Sequence, residues 1–82
     1  MARFLYGSLL LANHRAAEAV VELERVIAVD GRRAAPRVNL GNAYAVMGRA
    51  AEAEAQFRAV LSIDPANAAA RARLSAMGRT PK

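Results

Sequence analysis

The chain has no cysteine, so neither a disulfide framework nor a thiolate zinc site can brace it. Tryptophan is also absent, and Phe4, Tyr6, Tyr44 and Phe57 are the only aromatic residues. Four scattered rings make no run on which nucleic-acid bases could stack. One histidine, His14, and seven acids spread along the chain leave little material for catalysis. No glycine-rich phosphate loop and no metal-ligand spacing occurs. The longest strongly apolar run, Phe4 to Ala12, has nine residues and is too short to cross a bilayer as a helix.

What remains is small, basic and rich in alanine. The 82 residues amount to one small domain at most, burying roughly 62% of the unfolded surface. Alanine contributes 21 residues and arginine 11, against one lysine. Both favour helix, because alanine loses no side-chain entropy there and arginine loses little. An apolar fraction of 55% is too high for a disordered chain. The formal net charge is +5.

The sequence repeats with a period of 34. Arg15-Ala16-Ala17-Glu18-Ala19 returns as Arg49-Ala50-Ala51-Glu52-Ala53, Arg3 as Arg37, Gly7 as Gly41, Val26 as Val60 and Asp30 as Asp64. Ten of the first 34 positions equal their partners, and Leu23/Phe57, Ile27/Leu61 and Val29/Ile63 are conservative pairs. Ala16, Ala19, Val20, Leu23, Val26 and Ile27 recur as one apolar stripe of a 3.6-residue helix. Ala50, Ala53, Phe57, Val60 and Leu61 repeat it, and Leu40, Tyr44 and Met47 form a facing stripe.

Punctuation follows the same period. Gly48 can take a left-handed turn, and His14 occupies its counterpart position. Asp30-Gly31 and Asp64-Pro65 end helices, Asn67 is an N-cap, and Gly78 is a stop. The pattern predicts five helices, near residues 2–13, 16–29, 35–47, 50–63 and 68–77. Gly7 and Gly41 allow close approach of a neighbouring helix, which Ala19 and Ala53 receive. Tyr44 and Phe57 fill the space between helices.

The period, two helices per unit and these residues resemble the tetratricopeptide repeat family. Leu40-Gly41, Tyr44, Gly48, Ala53, Phe57 and Pro65 fit its spacing, while Arg37 stands where tryptophan is usual and Val60 where alanine is usual. The resemblance implies an all-α solenoid of antiparallel helix pairs. It consists of repeat one at 1–34, repeat two at 35–67, a capping helix at 68–78 and a tail at 79–82. In the cap, Arg71, Arg73 and Arg79 line the helix, and Leu74 and Met77 dock inward.

By the same resemblance, the first helices line a concave groove for a peptide or helix, and the chain is a scaffold or adaptor. The groove positions are Phe4, Ser8 and Leu11, then Val38, Asn39, Asn42 and Val46, then Arg73. An amide offers a donor and an acceptor, so Asn39 and Asn42 can pair with any peptide backbone, or can simply be solvated. Some relatives clamp a C-terminal carboxylate. Asn39 and Arg73 match two of the five clamp positions, while Phe4, Ser8 and Ala69 depart from them, so a full clamp is not expected. A weaker preference for acidic peptides would draw on Arg37, Arg71 and Arg73 as bidentate donors. Arg3, Arg37 and Arg71 recur with the repeat, either as a ladder or as stems covering the helix junctions.

Residues 2–13 are apolar almost all round, and such a helix is normally buried. Three readings stand. Preceding repeats are missing; the helix pairs with its copy or another protein through Phe4, Leu5 and Leu9; or it is a secretion signal. Against the signal, Gly7 keeps repeat register with Gly41. The second reading makes self-assembly the alternative function.

Charge separates by helix: residues 32–48 carry +3 and residues 66–82 carry +4, while 1–31 and 49–65 are each −1. Interleaved acids argue against nucleic acid as partner. His14 has no acid, serine or cysteine placed to work with it, so the chain reads as no enzyme, and no cofactor is implied. Missing cysteine fits the cytoplasm, which is favoured, or the periplasm. The Ala, Arg and Gly bias points to a GC-rich bacterial source.

Overall fold

A computed structural model describes residues 2–79, with side chains described from residue 14 onward. These residues form four helices and no strand: α1 (Ala2–Val29), α2 (Ala34–Val46), α3 (Ala50–Ile63) and α4 (Ala68–Ala76). The tail beyond Arg79 lies outside the described residues.

The expected break between residues 13 and 16 does not occur, so the first two expected helices are one, and the count falls from five to four. Gly48 sits at φ +77° and ends its helix in a left-handed turn. His14 occupies its counterpart position but carries a Cβ, which makes that conformation cost about 1–2 kcal/mol. His14 therefore stays in the helix, with Nε2 at 2.8 Å from Glu18 Oε1 one turn on. The expectation that His14 ends a helix is corrected accordingly, and so is the expectation that no acid is placed beside it.

The other boundaries follow local chemistry. Asp30 and Asp64 act alike: Asp30 Oδ1 accepts from Arg32 N at 3.1 Å, and Asp64 Oδ1 from Ala66 N at 3.3 Å. Each side chain closes an Asx turn that competes with further helix. Asn67 caps α4, its Oδ1 accepting from Ala70 N at 2.9 Å. Gly78 takes φ +74° past the end of α4.

Each helix packs on its neighbour in sequence. Leu40, Tyr44, Ala53, Phe57, Val60, Ala70 and Leu74 form the centre of the core, with Ala16 and Val20 from α1. Ala53, Phe57, Val60, Ala70 and Leu74 are fully buried. Gly41 admits the Phe57 ring: a Cβ on Gly41 would stand 2.6 Å from Phe57 Cε1. Leu74 docks inward and Met77 packs against the core, so α4 covers one side of α3.

Candidate functional site: the outer face of α2

Helix α2 has two unlike faces. Leu40, Gly41, Ala43 and Tyr44 are buried against the core. Val38, Asn39, Asn42, Ala45 and Val46 fall at i, i+1, i+4, i+7 and i+8, one stripe along the other side. Asn39, Ala45 and Val46 are exposed, and Val38 and Asn42 are half-buried. Four expected site residues, Val38, Asn39, Asn42 and Val46, therefore share a face. Val38 also packs partly against the core, and no enclosed pocket occurs among the described residues.

Within it, Asn42 Oδ1 is buried and has no hydrogen-bond partner among the described residues. A buried, unpaired acceptor costs about 1–3 kcal/mol. Asn42 could satisfy it by accepting from an N–H, and its amide nitrogen is a donor.

Arg73 stands exposed on α4, and its side chain makes no hydrogen bond or ion pair among the described residues. The side chains of Phe4, Ser8 and Leu11 lie outside the described residues, as do those of Leu5 and Leu9.

The other two arginines expected to face acidic peptides are engaged within the fold. Arg37 Nε donates to Gly31 O at 3.0 Å and Arg37 Nη1 to Gln56 Oε1 at 3.3 Å. Arg71 Nη1 donates to Pro65 O at 3.4 Å. Gly31 and Pro65 are themselves 34 apart, so both arginines reach back six residues to the same turn carbonyl. Repetition of Arg37 and Arg71 is thus a device that ties each first helix to the preceding turn. Sequence spacing showed the periodicity but not its purpose, because the acceptor is a backbone atom. Arg37 also explains the loss of the usual tryptophan: its guanidinium bridges the turn and α3.

Two acids bind across elements, Glu54 on α3 and Glu24 on α1. Glu54 receives Arg58 Nε and Arg79 Nε, each at 2.8 Å, which holds its carboxyl below the usual range. The Arg58 pair lies at i, i+4 spacing on α3, while the Arg79 pair joins residues 25 apart in sequence. Tyr44 OH donates to Glu24 Oε2 at 3.4 Å, joining α2 to α1. Burial first, and then Glu24, pushes the Tyr44 phenol above its ordinary value. The Arg49 guanidinium lies 5.9 Å from the centre of the same ring, a cation–π contact.

No group of three or more metal-binding side chains occurs among the described residues, and no described helix is long and apolar enough to cross a membrane. The family model described as Tetratricopeptide repeat matches residues 10–77. No curated protein and no solved structure matches the chain.

Proposed function

The chain belongs to the tetratricopeptide repeat family, and from that premise we propose that it is a scaffold or adaptor holding an extended peptide or a helix against the outer face of α2. Repeats of this family generally mediate protein–protein interaction and are typically non-enzymatic. Val38 and Val46 give the ligand apolar contact, and Asn39 and Asn42 pair with its backbone. Arg73 attracts a carboxylate at one end. The observation that carries this reading is Asn42, whose buried Oδ1 lacks a hydrogen-bond partner among the described residues, on a helix whose neighbouring Asn39 and Val46 are exposed. The preference for acidic ligands narrows to Arg73, since Arg37 and Arg71 serve the turns.

Selection of a displayed random peptide library on the intact chain tests this. Selected peptides should lose binding to Asn42→Ala and Arg73→Glu, with the fold unchanged by circular dichroism. Peptides that bind both variants as tightly as the parent contradict it.

A second reading, assembly through residues 2–13 with Phe4, Leu5 and Leu9, is favoured by one observation. Val26 on α1 is 41% exposed, although its counterpart 34 residues later, Val60 on α3, is 0% exposed.

A further inference from the structure

Helix α3 shows what a covered repeat face looks like. Ala53, Phe57 and Val60 are each 0% exposed. Their counterparts 34 residues earlier are Ala19 and Leu23, both half-buried, and Val26, 41% exposed. The difference has one geometric source. Phe57 is covered by the glycine-bearing helix that precedes it in sequence, α2. The segment preceding Leu23, residues 2–13, runs straight on as part of α1 and cannot turn back onto residues 16–29 of its own chain.

We infer that residues 2–13 of a second copy cover this face, so that two chains exchange their amino-terminal helical segments in a symmetric dimer. The inference rests on the assembly reading above and supplies its geometry. Three features identify the occupant. Gly7 stands in register with Gly41, the residue pressed against Phe57, and Leu23 stands in the place of Phe57. Arg3 and Glu22 stand in the places of Arg37 and Gln56, which are hydrogen-bonded at 3.3 Å, so the exchanged pair gains opposite charges. Glu22 is exposed, with Arg25 at 3.5 Å as its ion-pair partner among the described residues.

The third feature is symmetry. Residues 7 and 23 lie eight positions either side of residue 15, at the middle of the 28-residue α1. Two copies of α1 crossing antiparallel at that point place each Gly7 by the other chain's Leu23 at once. This is an isologous contact that closes on itself. Exchange also completes the proposed groove, because Phe4, Ser8 and Leu11 of the second copy then border the α2 stripe.

The test has two parts. Light scattering over a concentration series should give twice the chain mass of 8.7 kDa. The sequence has no cysteine, so the double variant Gly7→Cys with Leu23→Cys should form a bridge between chains and run as a covalent dimer without reductant. A monomer at every concentration overturns the assembly reading and the exchange together. A dimer whose cysteines bridge within one chain, or do not bridge, overturns the exchange alone. A charge swap on the surface covers the case of a variant that fails to fold. Arg3→Glu should weaken dimerisation about tenfold, or ~1.4 kcal/mol, and Glu22→Arg added to it should restore the dimer. Failure of that restoration also overturns the exchange.

Discussion

Gly41 and Phe57 are locked against each other: an added Cβ on Gly41 would lie 2.6 Å from Cε1 and 2.8 Å from Cζ of the Phe57 ring. That contact sets how closely α2 and α3 approach, and the rest of the core builds on it. Gly41→Ala brings two opposed effects. Alanine gains up to about 1 kcal/mol of helix propensity. Overpacking costs about 1–3 kcal/mol, and Phe57 is fully buried with no room to retreat. Overpacking wins, so thermal unfolding of Gly41→Ala should show a lower midpoint. Adding Phe57→Leu, the residue type at the counterpart position 23, should recover part of the loss.

Gly48 makes a different demand. Nothing lies within 4 Å of a Cβ built on it, so a side chain meets no clash. Its φ of +77° still disfavours any other residue. Gly48→Ala should therefore destabilise by about 1–2 kcal/mol through the backbone alone, measured by chemical denaturation. An unchanged midpoint would contradict the left-handed turn.

His14 and Gly48 together mark where the sequence stopped being legible. The period of 34, the Asp30 and Asp64 turns and the Asn67 cap were readable from residue types and spacing; the close approach at Gly41 was readable too, but its expected receiver, Ala53, is corrected to the Phe57 ring. These are local or repeat-encoded features. Whether α1 breaks depends on a single residue, His14, whose Cβ disfavours the left-handed turn that Gly48 takes at the counterpart position. The stripe Val38, Asn39, Asn42 and Val46 came from the resemblance to the tetratricopeptide repeat family, and helical spacing places the four on one face of α2. The engagement of Arg37 with Gly31 O and Gln56 was not readable, because long side chains choose acceptors that only tertiary structure brings near. The Glu54–Arg79 pair escaped for the same reason.

Glu54 sets a pH dependence. Arg58 and then Arg79 lower its carboxyl from an ordinary value of 4.5. A depressed folded-state value adds stability that is present above the unfolded value and lost as pH falls through the folded one. The stability difference between the parent and Glu54→Gln should thus be largest near neutral pH. It should shrink on acidification from 4.5 downward. High salt should shrink it as well, since the pair is partly exposed.

Asn42 separates stability from binding. Alanine removes a buried unpaired oxygen and is the better helix former. Asn42→Ala should leave stability unchanged or raise it by up to about 1 kcal/mol, while selected peptides lose affinity. A variant that unfolds instead would make Asn42 a structural residue.

The central claim is that ligands bind the outer face of α2. Isotope-edited NMR of the chain, titrated with a selected peptide, tests it most directly. The account predicts that the largest backbone shifts fall on Val38, Asn39, Asn42 and Val46, with Arg73 following, while α3 stays unmoved. Shifts concentrated around Glu54 and Arg58, with the α2 stripe unchanged, would contradict it.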